Sequence, residues 1–464
     1  MLETQPDGSI AARFEGYSVG LGKFGSAIRG PLQELRTGLP LASFASGRAA
    51  DKEIDRLVRR LAQTGLLEYR FGPPRATDQI VIEPQVPDYW PRLPKLSNTD
   101  VIVLSRFAYL RRRGKEMVLE SPRAGALFRI CDPKIAAALT ILSTPQKISK
   151  LRQAPGFPGL ELLALLLDCQ ILFKVATADR DGLRASEGDD SLVLWDFHDL
   201  LFHTRSTEGR QANPIGGLYS NAGVIAPLPA VRPPWPGEPI DLRKVVASPS
   251  EAPSSFARLL HERHSTRDFD DERPITLPEL ARFLDSAARV QSKWTSADMD
   301  DEGPEISYAA RPYPSGGAAY ELELYLTVGN CEGLARGFYH YDAERHALTP
   351  IPARAQDLEA QLMAAEFAMG ASGAPQILVT IAARFGRVSW KYSSVAYSLI
   401  LKDVGVLMQT LYLMATDLGL GGCAIGTNNI DLFAKMTGQE FYVEGPVGLF
   451  ALGRGGKPVE EAPH

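Results

Sequence analysis

At 464 residues the chain is too long for one ordinary domain, and two or three are expected. With 45% hydrophobic and 23% charged residues it reads as globular, and a net charge of -5 with a pI near 5.9 argues against nucleic acid as the main partner. The N-terminus, Met1-Leu2-Glu3-Thr4-Gln5-Pro6-Asp7, lacks a basic apolar signal, so cytoplasm is the default expectation. Cys131, Cys169, Cys331 and Cys423 show no paired spacing, which argues against a disulfide framework or a zinc knuckle. His261 and His264 have no acidic or thiol partner at metal spacing, so no metal is expected.

In chain order, Tyr17-Ser18-Val19-Gly20-Leu21 alternates like a strand, and Ser26 to Pro40 reads as short helix and turns. Asp51 opens an amphipathic helix with Ile54, Leu57, Val58 and Leu61 on one stripe; Gly65 ends it and Leu66 to Phe71 follows as a strand. Helix, glycine, strand is the grammar of a winged helix. After a stretch rich in proline (Pro84, Pro87, Pro91, Pro94) a similar grammar returns. Strands are predicted at Val101–Leu104, Met117–Glu120 and Ile171–Val175, and helices at Pro133–Leu142, Lys147–Leu151 and Gly159–Cys169. Residues 1–90 and 95–178 are therefore read as two winged-helix-like units. The first helix alternates Asp51, Glu53 and Asp55 with Arg56, Arg59 and Arg60, which suits a DNA-recognition helix poorly. An open strand edge that accepts an extended peptide suits these units better.

Residues 179–246 read as a linker with Gly216-Gly217, Pro227-Leu228-Pro229 and Pro233-Pro234-Trp235-Pro236. Trp195, Phe197, His198, Phe202 and His203 at its start suggest that it wraps a surface. From 247 to 464 the pattern becomes α+β. Helices are predicted at Ser254–His261, Leu277–Ala288, Ala355–Glu366 and Tyr397–Leu418, and strands at Leu322–Val328, Gly337–Tyr341, Gln376–Ala382 and Val447–Leu452. The apolar stretch Val395 to Leu420 is broken by Lys402, Asp403 and Asp417, so it reads as a buried helix and not a membrane span. Its stripe of Ile400, Val404, Leu407, Met408, Leu411 and Ala415 is flanked by further apolar faces, which suits a dimer interface.

Four short segments carry the chemistry. Arg263-His264-Ser265-Thr266-Arg267 groups two cations, a histidine and hydroxyls, a donor set for a phosphate monoester, and it lacks the glycines of a dinucleotide turn. Pro314-Ser315-Gly316-Gly317 lets backbone approach a planar ligand closely. Gly421-Gly422 follows the long helix, and Arg454 offers a third cation to the same phosphate. Trp390-Lys391-Tyr392 sets an ammonium beside a phenol, and a nearby cation favours the phenolate, a competent general base.

Taken together, these segments resemble the nitroreductase superfamily. Arg263-His264-Ser265 with the following Pro-Ile-Thr-Leu-Pro-Glu-Leu is similar to its FMN-phosphate motif. Gly421-Gly422 and Gly453-Arg454 are similar to its later flavin-contacting segments. Arg311 to Ala318, Gly337 to Asp342 and the Lys391-Tyr392 pair resemble the SagB-type branch, which includes McbC-like azoline oxidases and cyanobactin oxidases. The front of the chain resembles the paired winged-helix units of cyanobactin oxidases.

The resemblance implies an FMN enzyme that oxidises thiazoline or oxazoline rings to thiazoles or oxazoles in a ribosomally made peptide. Lys391 and Tyr392 would be its catalytic pair. Arg263, His264, Ser265, Arg267, Pro314, Ser315, Gly316, Gly317, Gly421, Gly422 and Arg454 would bind the flavin. The implied partners are an azoline-containing precursor peptide, a second copy of the chain and a cyclodehydratase. His264 departs from the second arginine found in much of this branch. The alternatives are a generic NAD(P)H-dependent FMN nitro- or quinone reductase and an idle peptide-binding scaffold.

Overall fold

The computed structural model describes residues 2–5, 7–13, 18–25, 28, 32–33, 35, 38–40, 49–63, 66–72, 78–87, 89–154, 157–175, 190–211, 215–232, 234, 236–242, 254–299 and 304–455. Tyr17, Gly65, much of the Ser26–Pro40 segment, residues 179–189, Pro233 and Trp235 carry expectations that lie outside the described residues. The chain forms two compact units, Met1–Arg205 with Gly209–Asn213, and Ser206–Glu208 with Pro214–His464.

In the first unit, β1 (Leu2–Thr4), β2 (Ser9–Arg13) and β3 (Ser18–Lys23) form an antiparallel sheet. Helix α1 (Ala49–Gln63) packs its predicted stripe with this sheet: Ile54, Leu57, Val58 and Leu61 are buried in one cluster with Ile10 and Leu21. Strands β4 (Tyr69–Phe71), β5 (Ile80–Pro84), β6 (Val101–Leu104), β7 (Tyr109–Arg113), β8 (Glu116–Glu120) and β9 (Ala126–Ile130) follow. One five-stranded sheet takes the order β4-β5-β9-β8-β7, so strands from both sides of residues 90–95 pair in it, and the boundary drawn there from sequence crosses a sheet. Helices α2 (Pro133–Thr140), α3 (Ile148–Leu151) and α4 (Leu160–Asp168) pack behind it, with β10 (Gln146–Lys147) and β11 (Leu172–Lys174) flanking β6.

The front of the expected linker is ordinary packed structure. Helices α5 (Asp190–Val193) and α6 (Phe197–Arg205) bury Leu192, Trp195, Leu200 and His203, and Trp195 stacks on His203 with centroids 5.7 Å apart. Arg106 holds this segment by donating to the carbonyls of Leu192 at 2.6 Å and Trp195 at 2.7 Å. Its apolar spacing, and not glycine or proline, governs the stretch. Within 215–242, Tyr219, Val224, Leu228, Val231 and Ile240 are exposed.

The second unit begins with α7 (Ser255–Glu262) and α8 (Leu277–Ala288). A capping box starts α8: Glu279 N–H donates to Thr276 Oγ1, and Glu279 Oε2 accepts from Thr276 N–H at 2.9 Å. A small hairpin pairs β12 (Ser292–Thr295) with β13 (Ser307–Ala310). Then come β14 (Leu322–Val328), β15 (Gly337–Asp342), β16 (Ala347–Ile351), α9 (Ala355–Met369), β17 (Ile377–Arg384), α10 (Gly386–Ser389), α11 (Ala396–Asp417), β18 (Gly421–Ile425), α12 (Ile430–Thr437) and β19 (Glu444–Gly453). The sheet is fully antiparallel, in the order β16-β15-β14-β17-β19-β18.

Helix α11 packs on β18, β19 and α8 through Ile400, Asp403, Val404, Leu407, Leu411 and Ala415. By length and composition alone it could cross a membrane, yet this stripe is core. Burial on several sides was expected. In the single chain the opposite strip, Ser398, Lys402, Gly405, Val406 and Gln409, is exposed.

Candidate functional site

Arg263 caps the C-terminus of α7, its N–H bonding back to Leu259, and its guanidinium lies 5.2 Å over the Tyr412 ring of α11. Ser265 Oγ is 2.9 Å from Tyr412 Oη. Tyr412 Oη already accepts from Ala424 N–H at 2.8 Å, so its proton suits Ser265 Oγ and leaves the serine hydrogen for an anion. Among the described residues no carboxylate lies within 4.0 Å of the Arg263 or Arg267 cations, and Arg267 is exposed. Two guanidinium groups without a carboxylate in salt-bridge reach and one available hydroxyl make a donor set that fits a phosphate. His264 is exposed and turns Nδ1 to the Glu262 carbonyl at 2.9 Å.

The glycines after α11 serve packing. Thr266 N–H donates to Gly422 O at 2.9 Å, and a Cβ on Gly421 would come 2.5 Å from Thr266 Cγ2. A Cβ on Gly422 would overlap the Phe450 ring. The space left by both missing side chains is thus filled by protein, and both glycines are buried in strand pairing with β19. Arg454 is also occupied. Its Nη2 sits 2.7 Å from both carboxylate oxygens of Glu279, and Nε donates to Arg273 O at 3.2 Å. That cation holds the Glu279 carboxyl down at about 2, with hydrogen bonds from Thr276 adding to it.

Gln376, read from sequence only as the start of a strand, ties the loop to the sheet. Its buried Oε1 accepts from Ile275 N–H and Arg454 N–H, both at 2.9 Å, and Nε2 donates to Asp270 O at 2.7 Å.

A second cluster forms around the Pro314–Gly317 turn. Pro314 is exposed and leads into Ser315 and a 3-10 turn over Gly316–Ala318. Gly317 has φ +61, and Ala318 and Tyr320 follow at φ 55 and 45, left-handed values that a side chain rarely tolerates. A Cβ on Gly317 would overlap the Tyr392 hydroxyl oxygen and lie 3.2 Å from Lys391 Nζ. The polar ends of Lys391 and Tyr392 therefore meet at one point of this turn. Lys391 Nζ also stands 5.4 Å from the Tyr392 ring centroid and 5.7 Å from that of Tyr308. Lys391 and Gly317 line a cavity of about 320 Å³ whose walls also include Tyr308, Arg387, Trp390 and Glu444; Tyr392 reaches it only through its contact with Gly317. Burial pushes the Glu444 carboxyl up, and it accepts from Tyr325 Oη at 2.7 Å.

Behind the turn lie two acids that motif reading missed. Asp403, on the buried face of α11, accepts from Ser315 Oγ at 2.9 Å and from Gly316 N–H at 2.9 and 3.1 Å. Glu321 is fully buried, 3.3 Å from Ser315 Oγ. The one sequence signal for Asp403 was an acid inside an apolar helical stripe.

The loop cluster and the turn cluster stay apart in one chain. They touch α11 at Tyr412 and Asp403, nine residues and roughly 14 Å apart along the axis, on opposite sides of the helix.

Comparison with known proteins follows the two units. The cyanobactin oxidase ThcOx family model matches residues 102–212, and the Nitroreductase family model matches residues 260–454. A protein of Methanocaldococcus jannaschii named as a nitroreductase is 33% identical over 168 residues, which is 36% of this chain and 76% of that protein. The microcin B17-processing protein McbC of Escherichia coli is 30% identical over 122 residues, 25% of this chain and 44% of that protein. Among solved structures, the E. coli microcin synthetase McbBCD complex with truncated pro-MccB17 bound shares 21% identity at a TM-score of 0.37. The overlap covers 58% of this chain and 97% of that one. A Ralstonia eutropha nitroreductase shares 22% at 0.32, covering 43% and 82%. With three quarters of a 33% identical relative spanned and its family model matched across the second unit, the chain belongs to the nitroreductase family of oxidoreductases, preceded here by a cyanobactin-oxidase-type segment.

Proposed function

We propose that this chain is an FMN-dependent dehydrogenase that converts thiazoline or oxazoline rings to thiazoles or oxazoles in a ribosomally synthesised peptide. The convergence of Tyr392 Oη and Lys391 Nζ on Gly317, at the rim of the 320 Å³ cavity, carries this reading. Aromatising the ring removes a hydride and a proton. Bound FMN would supply the two-electron acceptor. The proton falls to the chain: Tyr392 takes it from the ring carbon, and the Lys391 ammonium stabilises the charge that Tyr392 carries as a base. Tyr308 and Trp390 give the cavity flat apolar walls for a five-membered ring.

Arg263, Arg267 and Ser265 would hold the FMN phosphate. The Arg454 guanidinium serves that loop from behind through Glu279. Because the loop and the Gly317 turn lie on opposite sides of α11, a site that uses both takes one from each of two copies, with the exposed strip around Gly405 and Val406 between them. The 30% identity with the microcin B17-processing protein McbC supports a peptide substrate, and a cyclodehydratase is the partner such a substrate calls for. In the first unit a cavity of about 470 Å³ offers that peptide a charged surface, with Arg111, Arg113, Arg205, Glu83 and Glu120 in its walls.

The test is Tyr392→Phe assayed on a thiazoline peptide. It should keep fold and flavin and lose about 100- to 10,000-fold in turnover, the usual contribution of a general base. Turnover near the wild-type rate would favour a generic FMN reductase instead.

A further inference from the structure

The turn that positions Tyr392 rests on an arrangement of hydrogen bonds that is one proton short. Ser315 Oγ lies 2.9 Å from Asp403 Oδ2 and 3.3 Å from Glu321 Oε2, and it accepts from Tyr320 N–H at 3.0 Å. One hydroxyl has one hydrogen, so it cannot serve two carboxylates at once. Asp403 has further donation from Gly316 N–H and is satisfied as a carboxylate. Glu321 is not: its side chain is fully buried, and Oε1 has no hydrogen-bond partner among the described residues. An ionised carboxylate held this way would be unsolvated at one oxygen and face a second negative charge.

We propose that Glu321 is a positioning residue that carries a proton in the folded enzyme. Its O–H donates to Ser315 Oγ, which donates in turn to Asp403, fixing the Gly316–Gly317 backbone on which Tyr392 and Lys391 meet. This completes Ser315 Oγ with two acceptances and one donation. The inference deepens the proposed function in naming what holds the catalytic pair in place, and the proton assignment itself stands apart from catalysis. The charged and titratable groups that face Glu321 are Asp403 on α11, Arg387 on α10, and Arg311 and Tyr313 ahead of the turn. Arg387 donates to the carbonyls of Ala319 and Ser307 and its charge works against the proton, while Arg311 donates to Leu322 O and stands 3.9 Å from Glu323; burial outweighs them. Burial first, and the Asp403 charge with it, raises the Glu321 carboxyl from 4.5 to about 7.

The sign follows from proton binding. The folded state binds the Glu321 proton more tightly than the unfolded chain, so this contribution to stability falls as pH rises from 4.5 through 7 and is flat beyond. Glu321→Gln, which keeps a donor to Ser315, should escape that loss. Relative to wild type, its folding equilibrium constant in urea should gain about 200-fold between pH 4 and pH 8. Infrared difference spectra of the full chain at pH 6 should show a protonated-carboxyl band in wild type that is absent from Glu321→Gln. In Asp403→Asn that band should persist with a lower midpoint, since the neighbouring charge is gone. A band kept in Glu321→Gln but lost in Asp403→Asn, or no band in wild type at pH 6, would overturn the assignment. Full activity of Tyr392→Phe would sink the functional reading and leave this band unchanged.

Discussion

Replacing Gly317 by alanine tests the geometry of the catalytic pair directly. The backbone there has φ +61, and a side chain in that region costs about 1–2 kcal/mol. The new Cβ would also overlap the Tyr392 hydroxyl and press on Lys391 Nζ at 3.2 Å. Regaining van der Waals distance requires the hydroxyl to move by about 1 Å. A displacement of that size at a reacting group costs about 100-fold in rate. Gly317→Ala should therefore fold, lose about 1–2 kcal/mol in urea unfolding from backbone strain, with any residual clash adding to it, and turn over a thiazoline peptide at about one hundredth of the wild-type rate. In a Tyr392→Phe background the overlapping oxygen is gone and the nearest ring atom is Cζ at 3.2 Å, so the same alanine should destabilise less. Equal destabilisation in both backgrounds, or wild-type turnover in Gly317→Ala, would refute the placement of Tyr392 on this turn.

Arg263→Ala should weaken FMN binding by about 1.5–3 kcal/mol in a flavin titration, as expected for loss of a charged phosphate contact. Glu279→Gln should act on acid stability instead. The folded carboxyl is depressed to about 2 from 4.5, so its contribution is present above pH 4.5 and lost as pH falls toward 2, and the variant should flatten that limb of the acid unfolding curve. Deleting residues 1–205 should raise the KM for a full precursor peptide and spare kcat on a small azoline; equal loss on both would assign that unit to structure.

Long elements with a clean period were legible in the sequence. The Ile54–Leu61 stripe and the Leu277–Ala288 helix, with Thr276 and Glu279 at its start, announce themselves through spacing and capping. Strands without alternation were not. Ile80, Val81 and Ile82 are all buried in the middle of a sheet, and the nearby prolines read as a loop. Tyr109–Arg113 is an edge strand of arginines whose hairpin partner lies across Gly114-Lys115, a turn signal that was available and passed over. Gly421–Ile425, at the sheet edge, has two glycines and little strand propensity, so it looked like the end of a helix. At the site, the motifs found the right segments but not their partners. Nothing local to Arg454 points to Glu279, and nothing local to Ser315 points to Asp403, 88 residues later.

Gln376 has a consequence for how the protein is made. Its one side chain joins a loop carbonyl at Asp270, the amide of Ile275 and the amide of Arg454, bridging stretches of chain 78 to 106 residues distant from it. Asp270 N–H in turn donates to Arg454 O. On the ribosome, the loop that carries Arg263 and Arg267 emerges long before the strand that braces it. Such non-local closure comes late in folding. A nascent chain stalled short of Arg454 would hold the loop and Gln376 but lack the Arg454 contacts with Gln376, Asp270, Arg273 and Glu279, so cofactor loading should await the emergence of Arg454.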